Sequence, residues 1–279
     1  MPSANANGVE LEYDTFGDPA GAPLLLIGGL GVQMIGWDEE FCELLASRGF
    51  RVIRYDNRDV GLSTWMDGGA GYTLDDMAAD AVGLLDALGI PAAHIAGASM
   101  GGFIAQLVAL NHPERVLTLT SMISGPNGED QVQPTPQAMA LLMTPVPETR
   151  QARIDLGLRS KKELLGPADP FDESYERARV ARAIDRAYHP AGFVRQLQAI
   201  GAASSRVSRL AELRVPTLVV HGDADILVPV ENGRLVAAAI PGARLLEIPG
   251  MGHDIPQHVW PQVVDEIAEL AREAAASRA

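Results

Sequence analysis

Cysteine is almost missing from this chain. Cys42 is the single one in 279 residues, so no intrachain disulfide can form. That suits a reducing compartment, and Cys42, inside the amphipathic Glu39-to-Arg48 segment, reads as a small buried apolar residue rather than a reactive thiol. Lysine is nearly absent too: Lys161 and Lys162 stand against twenty arginines, a bias that carries no mechanism. Positive charge is short overall, and a formal net charge of −14 disfavours nucleic acid and anionic lipid as partners. No apolar run approaches the roughly 18 residues of a membrane span. The stretch Met1-Pro2-Ser3-Ala4-Asn5-Ala6-Asn7 lacks the basic and apolar regions of a signal peptide, so a cytoplasmic location is expected.

What is present points to one substantial core. At 47% hydrophobic residues the chain can bury a single core plus an insertion. Short apolar runs alternate with helical periodicities, the pattern of a largely parallel sheet with helices on its faces. Val9-Glu10-Leu11-Glu12-Tyr13 alternates and suits an edge hairpin, and Phe50 to Tyr55 reads as a buried strand. Thr73 with Asp76 has capping-box spacing before a helix whose apolar face runs through Leu74, Met77, Ala78, Ala81, Leu85 and Leu88, with Gly89 as its stop. Val263, Ile267, Leu270 and Ala271 keep helical spacing in a last helix that begins near Pro261.

The most informative stretch is Gly97-Ala98-Ser99-Met100-Gly101-Gly102. It lies between a strand-like run, Ala92 to Ala96, and an apolar helical run, Phe103 to Leu110. A serine between small residues at a sharp strand-to-helix turn is a nucleophile elbow, and the turn lifts the hydroxyl to the start of a helix whose dipole favours developing negative charge. Such a serine needs an acid and then a base later in the chain. Pro216-to-Gly222 reads as a strand followed by Asp223-Ala224-Asp225, and Arg244-to-Pro249 as a strand followed by Gly250-Met251-Gly252-His253. Each candidate therefore stands beyond the carboxyl end of a strand, where open α/β sheets bind ligands. Asp223 and Asp225 share one loop, and the chemistry alone does not separate them.

With these motifs the chain resembles the α/β-hydrolase-fold serine hydrolases over nearly its whole length. The elbow, the His221-Gly222-x-x-Asp225-x-x-Val228-Pro229 loop, the Gly250-to-His253 loop and the Arg54-to-Ser63 turn each match that family's pattern. The resemblance implies Ser99, Asp225 and His253 as the triad, its spacing choosing Asp225. It also implies backbone amides of Leu30 and Met100 as oxyanion donors, with Gly28-Gly29-Leu30-Gly31 in place of the commoner His-Gly-x-x form. Asp59 stands where the family commonly has glycine. That departure, with the Ile240-to-Pro256 segment, is more similar to the aclacinomycin methylesterase branch than to the generic family. Haloalkane dehalogenases and epoxide hydrolases of this fold carry Asp at the elbow, so Ser99 argues against both. The expected activity is hydrolysis of an apolar carboxylic ester, methyl esters included. An enol-lactonase-like lactone hydrolase and a perhydrolase share the same triad, and a hydrolase-fold ligand receptor is the non-enzyme alternative. No metal or organic cofactor is implied.

Between Ser124 and about Val215 the strand–helix alternation stops, and prolines 126, 134, 136, 145 and 147 mark irregular connections. The expected organisation is a core of residues 1–124 and 215–279 with a helical cap inserted over 125–214. Glu148 to Arg195 holds 10 Lys+Arg against 8 Asp+Glu, a net of +2, which leaves −16 of the total −14 on the remaining chain. A solvated helical surface explains this at least as well as attraction of an anionic substrate. Gly29, Met122, Leu142 and Met143 are the expected pocket residues, with Met139 and Leu141 beside them; packing of the cap onto the body is an equal reading of the apolar set. Of the other histidines, His94, His112 and His189 read as structural, His221 as shaping the acid loop, and His258 as surface. Asp56 with Arg58 is expected to form a structural ion pair, and Asp75, Asp76 and Asp80 a helix-start and solvent-face pattern.

Overall fold

A computed structural model describes residues 2–69 and 71–278. Eight strands form one sheet in the order β1-β2-β4-β3-β5-β6-β7-β8. These are β1 (Ser3–Ala6), β2 (Val9–Phe16), β3 (Ala22–Ile27), β4 (Phe50–Tyr55), β5 (Ala93–Ala98), β6 (Val116–Met122), β7 (Thr217–Gly222) and β8 (Arg244–Ile248). β1 and β2 run antiparallel to their neighbours, and all later pairs are parallel.

The central strands are apolar on both faces because helices cover both. In β3, Leu24 and Leu26 face α1 (Glu39–Ala46) and α10 (Trp260–Ala276), together with Phe41, Leu45, Val263 and Ile267. Their alternates Leu25 and Ile27 pack on the other side with α2 (Leu74–Ala87) and α3 (Met100–Asn111). Full burial of one such side chain is worth about 1.5–3 kcal/mol. α2 starts on a complete capping box between Thr73 and Asp76.

From Ile123 to Pro216 the described residues contain helices but no strand: α4 (Pro136–Leu142), α5 (Arg150–Leu164), α6 (Glu173–Arg186), α7 (Pro190–Ala202) and α8 (Val207–Leu210). After β7 the chain forms α9 (Val230–Ala239). Several basic side chains of α5 to α7 are turned inward onto the rest of the molecule. Arg179 reaches Asp38 (3.0 Å), Arg186 reaches Asp56 (2.7 Å), Arg195 reaches Asp59 (2.7 Å) and Lys161 reaches Asp254 (2.7 Å). These four cations thus fasten the segment to carboxylates that lie outside it.

Two expected charge arrangements are replaced. Asp56 does not pair with Arg58; it pairs with Arg186 and accepts the Met34 and Leu62 amides at 2.7 and 2.9 Å. Arg58 instead binds Asp80 through both carboxylate oxygens, at 2.6 and 2.5 Å. Asp80 is therefore buried, not on a solvent face. The reason is geometric: Arg58 follows β4 and turns toward α2, whose second turn carries Asp80 onto the same covered side.

Candidate active site

Ser99 sits between β5 and α3 with φ 55° and ψ −121°, a left-handed backbone that non-glycine residues avoid. Such a residue costs about 1–3 kcal/mol and persists only where its surroundings over-determine it. Here the Ser99 N–H donates to the Met122 carbonyl at 2.9 Å, and the Ser99 carbonyl accepts from Ser124 Oγ and Gly102 N, each at 2.9 Å. The turn closes only because Gly97 and Gly101 lack side chains. A Cβ on Gly97 would overlap the Gly101 carbonyl, and one on Gly101 the Ile27 carbonyl.

From this turn Ser99 Oγ lies 3.0 Å from His253 Nε2, and His253 Nδ1 lies 2.7 Å from Asp225 Oδ2. Facing a carboxylate, Nδ1 carries the proton, which leaves Nε2 free to accept from the serine hydroxyl. Asp225 Oδ1 accepts the Leu227 and Val228 amides at 2.9 and 2.8 Å. Burial works against its ionisation, yet the neighbouring His253, with hydrogen bonds from His221 and His253, holds the Asp225 carboxyl far below the usual carboxylate range. Asp223 does something else: its Oδ1 accepts the Gly250 amide at 2.6 Å and it has no contact with His253 among the described residues. His221 is fully buried, and since its Nε2 meets the Val228 carbonyl at 2.7 Å, that nitrogen must be the donor.

Gly28 to Gly31 follow β3, the neighbour of β5, so this loop faces the elbow across the point where strand order reverses. That crevice is where open α/β sheets bind ligands. A Cβ on Gly29 would stand 3.3 Å from Ser99 Cβ. Asn57 Nδ2 donates to the Gly28 carbonyl (3.1 Å), and the Gly31 amide donates to Gln196 Oε1 (2.8 Å), bracing the loop from both sides. The Leu30 amide has no acceptor among the described residues, and Met100, first in α3, presents one of the unpaired amides of a helix start.

A cavity of about 1230 Å³ opens over Ser99 and His253, roofed by α4 to α7. Gly29, Leu30, Met100 and Leu142 line it; Met122 and Met143 do not. Met122, last in β6, points to the α1–α10 side of the sheet and is wholly buried there, and it is the next residue, Ile123, that faces the cavity. Met143 lies one residue past the end of α4, rotated off the face that carries Leu142, and is 63% exposed. Sequence reasoning missed Phe193, Leu164 and Leu227 on this wall. Phe193 had a faint signal, an aromatic on the apolar stripe of α7.

The other histidines lie apart from this chain of bonds. His94 Nδ1 meets Thr118 Oγ1 at 2.8 Å inside the sheet, His112 ends α3, and His258 is exposed before α10. His189 stacks on Trp65, with ring centroids 4.1 Å apart, and accepts from Arg195 at 2.8 Å.

A family model described as the alpha/beta hydrolase fold matches residues 22–256. The chain belongs to this family. It is 36% identical over 290 aligned residues, 95% of this chain and 96% of the relative, to rhodomycin D methylesterase DauP of Streptomyces sp. (strain C5). Among solved structures it is similar to the meta-cleavage product hydrolase CumD of Pseudomonas fluorescens IP01, with TM-score 0.82, 24% identity and 98% of each chain covered. It is also similar to the enol-lactonase of Burkholderia xenovorans LB400, with TM-score 0.76, 25% identity, and 99% of this chain and all of that one covered (100%). The chain is thus an enzyme of the hydrolase class, and methylesterase-like in sequence.

Proposed function

We propose that this enzyme is a serine carboxylic-ester hydrolase that works through an acyl-enzyme. The observation that carries the reading is the continuous chain of bonds Ser99–His253–Asp225 at the floor of the cavity. Ser99 Oγ attacks the ester carbonyl while His253 Nε2 takes its proton. Asp225, held ionised, stabilises the imidazolium and fixes its tautomer. Negative charge on the tetrahedral carbonyl oxygen is met by the Leu30 and Met100 amides, each such donor being worth about 3–4 kcal/mol. His253 then protonates the departing alcohol, and water, deprotonated by the same imidazole, releases the acid.

Residues 125–214 act as the cap of this reading, with Leu142 and Ile123 among the side chains that select the substrate. The size of the cavity and its largely apolar wall favour a bulky apolar ester, and the likeness to a methylesterase favours methanol as the leaving alcohol. The likeness to an enol-lactonase supports a second reading on the same atoms, in which the leaving oxygen stays tethered to the acyl group. A panel of methyl, aryl and lactone substrates decides. The proposal expects methyl esters of large acids to give the highest kcat/KM, whereas a preference for lactones by a factor of ten or more would make the second reading the correct one.

A further inference from the structure

The loop that carries His253 is held from outside the sheet. Leu164 ends α5, and its carbonyl accepts the His253 N–H at 2.7 Å. The Ala168 N–H donates to the Gly250 carbonyl at 3.1 Å, and Lys161 Nζ lies 2.7 Å from Asp254. Asp169 closes this seam. Its Oδ2 accepts two amides from two different segments, Gly166 at 2.8 Å and Gly252 at 2.9 Å. The two backbones touch so closely that a Cβ on Gly252 would overlap the Leu164 carbonyl and the Gly166 amide.

Asp169 has no basic partner of consequence. Its side chain is fully buried, its Oδ1 has no hydrogen-bond partner among the described residues, and the one basic side-chain nitrogen within 4 Å among them, that of His258, stays at 3.8 Å. A buried polar oxygen without a partner is costly, so the position must be held for what Oδ2 does. What Oδ2 does is fix Gly252, the residue before His253, against the turn after α5.

We propose that Asp169 is a positioning residue for the general base: through the Gly252 and Gly166 amides it sets the imidazole at its distances from Ser99 and Asp225. The end of α5 is then a fixed part of the active site, and the helical segment governs rate through Asp169. The inference rests on the reading of His253 as the base. A misplacement of about 1 Å costs roughly 10²-fold in rate.

The test measures kcat and KM for p-nitrophenyl acetate in the full chain, with hydrogen exchange over residues 250–254, for Asp169→Ala, Asp169→Ser and Asp169→Asn. Asparagine keeps an acceptor at the Oδ2 position and can place its amide where Oδ1 has no partner. Alanine removes the acceptor, and serine, the variant that guards against an unfolded alanine protein, is too short to span both amides. Expected are a kcat loss of about 100-fold for Ala and Ser with KM changed less than threefold, faster exchange in the loop, and rescue by Asn to within about fivefold of the parent enzyme. Folded Ala or Ser variants with near-parental kcat overturn the inference, as does an Asn variant as poor as Ala, or a loss expressed in KM alone. Ser99→Ala runs alongside. If it hydrolyses as fast as the parent, the proposed function itself fails; if it is inactive while Asp169→Ala is not, only the positioning role fails.

Discussion

At the scale of single residues, Asp225 and Asp223 show how much two positions in one loop can differ. Both are carboxylates on the rim of the sheet, yet only Asp225 is buried against an imidazole and held by two amides, while Asp223 ties the Gly250 amide. Asp225→Asn is expected to lower kcat by about 10³–10⁴ through loss of the correct imidazole tautomer. Asp223→Asn, which keeps an acceptor for Gly250, should stay within about tenfold of the parent. Steady-state kinetics of the two variants check this, and the opposite ranking would move the acid to Asp223. The elbow and its two partner loops were legible in the sequence because each is a short motif next to a strand. Met122 was misread by one residue. Which face a strand's last side chain takes depends on where the register ends, and here Ile123, with φ 44°, turns the chain and takes the cavity wall.

At the scale of elements, the alternation of strands and helices was plain because Leu24–Ile27 in β3 and Leu218–Val220 in β7 are unbroken apolar runs, α3 is apolar on nearly every face, and α2 and α10 carry clear stripes. The four-residue β1 was not read, since Ser3–Ala6 has too little pattern to announce a strand. The pairings that fasten α6 and α7 were also hidden: Arg195 and Asp59 are 136 residues apart, and nothing local links them. Asp59 also adopts φ 69°, where a glycine would be relaxed, so its carboxylate is held on a strained backbone. Burial opposes its charge, but the Arg195 guanidinium and the Met66 amide hold the Asp59 carboxyl below its ordinary value. Asp59→Gly should therefore destabilise. Charge-assisted bonds worth about 1.5–3 kcal/mol are lost against roughly 1–2 kcal/mol of relieved strain, a net of the order of 1 kcal/mol. Thermal unfolding measures it, and a higher melting temperature would mean that strain outweighs the pair. On α4, Leu142→Trp should shift kcat/KM between short and long esters by about one to two decades while sparing an acetate ester, since pocket contacts discriminate by about 1–3 kcal/mol per methylene. An equal loss on both would make Leu142 packing rather than pocket.

At the scale of the whole molecule, one sheet sets both stability and chemistry. β3 and β5 lie side by side at the reversal of strand order, which brings the Gly28-to-Gly31 loop and the elbow together, while β7 and β8 deliver the loops of Asp225 and His253 to the same edge. The same sheet buries His94, and burial pushes its imidazole down to about 4. A histidine that is neutral when folded and titrates near 6.5 when unfolded adds stability that is complete above about pH 6.5 and is lost as pH falls toward 4. The loss at pH 4 is expected to reach about 3 kcal/mol, and His94→Asn should flatten this part of the stability profile measured by denaturant unfolding. An unchanged slope between those pH values would assign it to other groups.

The central claim is that Ser99 is the nucleophile, and intact-protein mass spectrometry after treatment with a fluorophosphonate tests it most directly. The account predicts one phosphonyl adduct per chain, mapped to the peptide containing Ser99, absent from a folded Ser99→Ala variant and accompanied by complete loss of ester hydrolysis. An adduct on another residue, or hydrolysis that survives Ser99→Ala at more than a few per cent of the parent rate, would contradict it.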